Sequence, residues 1–411
     1  MGRTPCSRVR QVVLVAVLCA CGSDPEPARP NGTWRLGPPM NEARAGHSVT
    51  LLADGRVLVA GGDALTDVAE SGGALATAEV FDPVTETWTP TGSMNTARTW
   101  HTAVLLTSGR VLVAGGCAGW TYDPVTNRAG CLITPSAELF DPVNGAWTPT
   151  GDMEFARMGP LGGTLGGALL PDGRVLVAGS WHRQDLWIPE GTATTPSELY
   201  DPASGRWARV GDLATPSMGG TLLPLLSGRV LLAGGITGGA ALACTSAAQA
   251  FDLLSLEWSG TGALPQPTAY NAMARLRDGR VLVAAGCGWD GYSCNSNVLP
   301  PFGHLYDPGM ETWRATGPMS FNRQHASAVV LPSGRVLVSG GWFRSPDSVG
   351  MAPAGDVYDP ATDTWTPTPP LLASEIGGGA SVLLPTGEVL HAGGYRGTVW
   401  SATAATQLYR E

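Results

Sequence analysis

Four arginines recur at one offset: Arg44, Arg98, Arg157 and Arg323 each lie four residues after a methionine, at Met40, Met94, Met153 and Met319. Planar guanidinium groups gathered around one opening could hold a carboxylate, a sulfate or an acidic sugar, because each presents a rigid fork of donors. They could equally bond strand-end carbonyls as part of a repeated structure, and spacing leaves both readings open. The matching positions elsewhere are Ser217, Thr268 and Glu375. A ring of all seven would be positive on one side and neutral on the other, with one carboxylate set into the positive arc. A second group is aromatic: Trp120, Trp181, Trp187, Trp289, Trp342 and Trp400, joined by Tyr122, Tyr292, Phe343 and Tyr395. Such rings carry large apolar area on few rotors, which suits stacking on a sugar or gripping a protein partner. They could also pack loop against loop.

The cysteines suit an oxidising compartment. Cys117 with Cys131 and Cys287 with Cys294 are the simplest disulfide pairs, and Cys244 is left over, either free or competing for Cys287 or Cys294. Neither paired Cys-x-x-Cys spacing nor a His pair accompanies them, so no zinc or other metal site and no cofactor is expected. His47, His101 and His325 fall at related positions, which favours structure over metal ligation.

The first thirty residues read as an address. Arg8 and Arg10 precede an apolar run over residues 12–20, about half of the roughly 20 residues a membrane-spanning helix needs. Residues 1–20 are therefore expected to be a secretory signal. The run ends Leu18-Cys19-Ala20-Cys21, which resembles the bacterial lipobox, although Cys19 is atypical there. That resemblance implies a diacylglycerol on Cys21. Residues 21–31, with Pro25, Pro27 and Pro30, would then be a solvated tether. Gly22 and Ser23 follow the cysteine with no aspartate immediately after it, which by resemblance implies the outer membrane or cell surface of a Gram-negative bacterium. The charge of −9, or −12 without residues 1–20, argues against nucleic acid as a partner.

The elements that must position these residues come from a repeat. The phrase Gly-Arg-Val-Leu-Val-Ala-Gly-Gly begins at Gly55 and Gly109, with variants at Gly173, Gly228, Gly279, Gly334 and Gly387, spaced 51 to 64 residues apart. An aromatic-Asp-Pro element follows, as in Phe81-Asp82-Pro83 and Tyr200-Asp201-Pro202, and then a tryptophan: Trp88, Trp147, Trp207, Trp258, Trp313 or Trp365. Each unit predicts a short strand, a two-residue hairpin turn whose glycine accepts positive φ, and a continuously apolar strand covered on both faces. A third strand follows. An Asp-initiated turn then leads into a tryptophan-bearing fourth strand. The 56 glycines and 33 prolines fit many tight turns and no long helices.

This order of glycine pair, aromatic and tryptophan resembles the Kelch repeat, a family that includes the central domain of galactose oxidase, and the resemblance covers nearly all of the chain from Thr33 onward. It implies an all-β, seven-bladed propeller over residues 32–411, each repeat a four-stranded blade about a central channel. The seventh copy stops at Tyr409 without its tryptophan strand, whereas residues 33–40 match residues 87–94. The N-terminal strand is therefore expected to complete the last blade and leave no open edge.

In such a blade the long connections between strands two and three share a face with those from strand four to the next blade. The arginines and aromatics would gather on that face. A monomeric binding scaffold for a glycan or protein is the expectation, with no catalytic residue assigned. Galactose oxidase needs a Tyr-His dipeptide that is absent here, and the Ser-x-Asp-x-Gly-x-x-Trp boxes of sialidases are absent too. The enzymatic alternative is a sugar mutarotase resembling N-acetylneuraminate epimerase, in which arginines would bind the sugar carboxylate and Glu375 would shuttle a proton.

Overall fold

The computed structural model describes residues 31–64, 73–123, 128–159, 166–179, 196–237, 243–289, 294–295, 302–344, 349–373, 376–377, 379–396 and 401–411. They form seven four-stranded antiparallel sheets, with no helix among the described residues. The first blade runs Ser48–Leu51, Val57–Ala60, Ala78–Asp82 and Thr87–Pro90, in the order of the chain. Each later blade repeats this meander. The second strand of every blade is buried along its whole length, as an unbroken apolar run requires when both faces are covered.

No single central core exists, because the axis is ringed by the first strands, each touching the next, with Ala380–Leu383 touching Ser48–Leu51 to close the circle. Burial among the described residues is instead divided among seven clusters that straddle adjacent blades and two smaller ones at the loop face. Leu58 and Val80, for example, pack on Val111 and Phe140 of the next blade. The fourth-strand tryptophan welds each interface. Its ring packs 4.8 to 5.4 Å from the aromatic of the third strand in all seven blades. Its Nε1 donates across to the preceding blade, as from Trp147 to Gly92 O at 2.7 Å and from Trp207 to Gly151 O at 2.8 Å.

The turns between strands one and two depart from the two-residue form expected. Leu52 N–H donates to Arg56 O at 2.8 Å and Gly55 N–H to Leu52 O at 3.1 Å, leaving a three-residue loop over residues 53–55. Only the glycine has positive φ, +88° at Gly55. Ordinary φ at the residue before the glycine is compatible with Asp or Ser, and the left-handed glycine then restores the strand twist. The Asp-Pro turns behave as expected: Asp82 Oδ1 accepts Val84 N–H at 2.8 Å, and Asp141 accepts Val143 N–H at 2.9 Å.

Thr33–Leu36 pairs antiparallel with Thr406–Arg410, placing Trp34 opposite Tyr409 as Trp88 stands opposite Phe81. The ring is closed by the chain's own N-terminal strand. One repeat position changes sign at this seam. Where six blades carry Arg56, Arg110, Arg174, Arg229, Arg280 and Arg335, the seventh carries Glu388. Arg35 of the closing strand grips it with Nε on Oε1 at 3.1 Å and Nη2 on Oε2 at 3.0 Å, and also reaches Glu86 of the first blade at 2.6 Å.

Candidate functional site

The blades present two unlike faces. One carries the short turns. The other carries the connections between strands two and three, which form small ribbons where loops were expected: Cys117–Asp123 with Arg128–Ile133, Ile236–Thr237 with Ala243–Cys244, and Trp342–Arg344 with Val349–Met351. Single bridges such as Thr99 to Cys117 and Gln324 to Trp342 tie these ribbons to the segment entering the same blade. Cys117 and Cys131 form the expected disulfide across the first ribbon. Cys287 is disulfide-bonded as well. Cys244 is free, and burial pushes its thiol up to about 12. Trp181, Trp187, Trp400 and Glu375 lie outside the described residues, as do Cys21 and the side chains of Trp289 and Cys294.

The four arginines are fully buried. Arg44 donates through Nη1 to Gly61 O at 2.8 Å and through Nη2 to Glu79 Oε1 at 3.0 Å. Arg98 repeats this on Gly115 O and Glu138, and Arg323 on Ala354 O and Asp356 Oδ2 at 2.7 Å. Arg157 pairs with Glu198. Each carboxylate also accepts backbone N–H groups of the segment entering its blade, Asn95 and Thr96 in the case of Glu138. Burial alone would raise the Glu138 pKa, yet the bonds from Asn95, Thr96 and Arg98 hold it below the usual range. These guanidinium groups therefore brace strand ends inside the blades, which corrects the expectation that they form an exposed positive arc.

A compensating pattern went unread in the sequence. Opposite the arginines stand Glu79, Glu138, Glu198 and Asp356, but opposite Ser217 stands Gln249, opposite Thr268 stands His304, and in the seventh blade the position is Gln407. Gln249 accepts Thr215 N–H at 3.0 Å and returns a bond to Thr215 O at 2.8 Å. Acid accompanies arginine, and a neutral partner accompanies its loss. That signal was available from an alignment of the seven repeats.

What does converge near the axis is aromatic. At the loop-face end of the innermost strands, one repeat position adopts left-handed backbone, with φ of +62° at Gly46 and +67° at Gly219. Three blades place large side chains in that conformation: Trp100 at +54°, Tyr270 at +57° and His325 at +57°. Backbone bonds link neighbours around the mouth, from Trp100 N–H to Gly46 O at 2.8 Å, Gly159 N–H to Trp100 O at 2.7 Å and His325 N–H to Tyr270 O at 3.0 Å. Tyr270 stacks on His325 at 4.4 Å, and His325 on Trp342 at 5.6 Å with rings 3° from parallel. Trp100 meets Trp120 edge-on at 5.6 Å. Beside them Tyr395 donates its hydroxyl to Asp63 at 2.7 Å, and Thr99 donates to the same carboxylate at 3.2 Å. Burial, then the Asp63 charge, pushes the Tyr395 hydroxyl well above the usual range.

Left-handed backbone at a bulky residue costs about 1–3 kcal/mol and persists where surroundings or function hold it. Sequence reasoning noticed Trp120 and Trp342 and read His325 as structural, but missed Trp100 and Tyr270, because they sit at a position that is glycine in the other blades. The five described histidines are neutral interior groups. Burial lowers His47 and His325 to about 3 and His391 to about 4. His47 directs Nε2 at Ala392 O and His101 directs Nε2 at Ser48 Oγ, both inside the ring.

The Kelch motif family matches residues 43–95. Galactose oxidase from Gibberella zeae is 27% identical over 277 residues, covering 62% of this chain and 38% of that protein. Kelch repeat and BTB domain-containing protein 12 from Danio rerio is 29% identical over 133 residues, covering 31% of this chain and 21% of that protein. The chain thus spans less than half the length of these relatives. A fungal alcohol oxidase of the AA5 family, solved with copper, superimposes with a TM-score of 0.68 at 18% identity over 92% of this chain and 76% of its own. At that identity the likeness concerns the fold alone. His47 and His101 each hydrogen-bond within the ring through Nε2, and His325 is sandwiched between Tyr270 and Trp342. No group of three or more His, Cys, Asp or Glu among the described residues could share an ion.

Proposed function

This chain is a Kelch-repeat β-propeller, and from that premise we propose that it is a binding scaffold, secreted and held to a membrane by a lipid on Cys21, whose loop face receives a protein or glycan. The carrying observation is the left-handed trio Trp100, Tyr270 and His325 with the stack it feeds, in which Trp100 and His325 are buried while Tyr270 and Trp342 are partly exposed. Large aromatic side chains occupy positions where glycine is the unstrained choice, and two of them continue into the stack with Trp342. The partly exposed rings of Tyr270 and Trp342, held rigid by the buried His325 between them, are suited to recognition, because little side-chain entropy is lost on contact.

The purified protein is applied to a glycan array beside two variants, His325→Gly and Trp342→Ala. Retention on a glycan, reduced at least tenfold in both variants with the thermal midpoint lowered by no more than a few degrees, supports glycan recognition through the stack. A silent array excludes the arrayed glycans as ligands of the stack and leaves a protein partner as the reading to test. Collapse of both variants shows that the stack is packing and overturns the recognition role.

A further inference from the structure

The five most exposed large apolar side chains among the described residues are Leu254 at 95%, Val143 at 92%, Val84 at 87%, and Leu226 and Met310 at 69%. All five belong to the turn face, opposite the aromatic stack. Val84, Val143, Leu254 and Met310 occupy the turns between strands three and four of the first, second, fourth and fifth blades, and Leu226 the turn between strands one and two of the fourth. The chain enters the ring at this same face. Thr33 pairs with Arg410 as Thr87, the first residue after such a turn, pairs with Asp82.

We propose that the turn face docks against a lipid bilayer, resting on the reading that Cys21 carries a lipid. The chain from Cys21 to Asn31 can reach at most about 35 Å when fully extended. A lipid there would hold the turn face close to the bilayer surface, at high effective concentration. The tips fit that surface chemically. They are aliphatic, with no aromatic among the five, and spread over four blades, whereas protein interfaces are anchored by clustered aromatics and arginines. Three of the turns between strands one and two are neutralised in place, with Arg56 on Asp54, Arg174 on Asp172 and Arg280 on Asp278 at 2.7 Å each, while Asp82, Asp252 and Asp307 beside the tips spend a carboxylate oxygen on turn N–H groups. Docked this way, the ring points its loop face and the Tyr270–His325–Trp342 stack away from the membrane.

The test uses the full-length chain matured in a Gram-negative host and reconstituted into vesicles of phosphatidylethanolamine and phosphatidylcholine. A photo-crosslinking amino acid replaces Val143, Leu254 or, on the loop face, the exposed Glu154. Intact mass reports the diacylglycerol on Cys21, and mass spectrometry after irradiation reports lipid adducts. Lipid adducts at 143 and 254 at least tenfold above those at 154 support the docking. Equal adducts at all three positions, an excess at 154, or adducts at 143 and 254 that are protein, including a second copy of this chain, overturn it while leaving the anchor standing. An unmodified Cys21 overturns the anchor itself, and the docking that rests on it.

Discussion

Replacing Glu388 by arginine would make the seventh blade match the other six at this position, and it should weaken the ring at its seam. Glu388 is 6% exposed and accepts two charge-assisted bonds from Arg35, whose own side chain is 41% exposed. Bonds of this kind are worth roughly 1.5–3 kcal/mol when buried, and solvent on the Arg35 side reduces that, so the pair should couple by about 1–2 kcal/mol. Glu388→Arg loses this coupling. It also sets a third cation between Arg35 and Arg410, whose Nε lies 3.7 Å from Glu388 in the native ring. Like charges at about 4 Å in an effective dielectric near 20 repel by up to about 4 kcal/mol, much of which side-chain rotation would relieve. The expected loss is about 3 kcal/mol, or a few degrees in thermal midpoint for a chain of this size. A cycle of Glu388→Gln, Arg35→Gln and the double variant, followed by denaturant unfolding, isolates the coupling. Size-exclusion chromatography of Glu388→Arg should add a dimer made by exchange of the freed N-terminal strand. If Glu388→Arg is as stable as the native chain, or if the two glutamine substitutions are simply additive, the seam is not specified by charge.

Two other perturbations test the interior. The folded pKa values of His47 and His325, about 3, and of His391, about 4, lie below the unfolded value near 6.5, so the unfolded chain takes up these protons first. Stability is therefore complete above about pH 6.5 and falls as the pH drops toward 3–4, by roughly 2–3 kcal/mol per imidazole at pH 4.5. Denaturant midpoints measured from pH 7 to 4.5 should decline steeply, and less steeply in His391→Gln; a flat profile would contradict neutral burial. In the second blade, Arg98→Ser or Glu138→Gln alone leaves a buried group without its ion-pair partner and should cost about 3–5 kcal/mol. The two together reproduce the pair found in the fourth blade, Ser217 with Gln249, and should recover at least half of that loss in urea unfolding, whereas strict additivity would refute the pairing logic.

The architecture was legible because a propeller blade is a local object. Turn glycines, the Val57–Ala60 run, Asp82 and Trp88 each act within one unit or on its neighbour, and seven copies multiply a weak signal. The closing strand was legible for the same reason: residues 33–40 repeat residues 87–94. The exact form of the hairpin turn was not, since Asp54-Gly55 suits both a two-residue and a three-residue loop, and the hydrogen bonds of Leu52 decide between them.

The candidate site was legible only in part. Residue type marked Trp120 and Trp342 as aromatic and Arg44, Arg98, Arg157 and Arg323 as charged, but not which of them faced outward. The arginines are interior because Glu79, Glu138, Glu198 and Asp356 lie close in space yet 33 to 41 residues distant in the chain. Trp100, Tyr270 and His325 gain meaning only when seven equivalent backbones circle one axis and their left-handed turns meet. Composition and repetition determined how many blades form and how they close, since both follow from contacts within a unit and between neighbours. Which side chains share the mouth of the ring was decided by tertiary structure, because that depends on the path of each turn and on partners brought from distant strands.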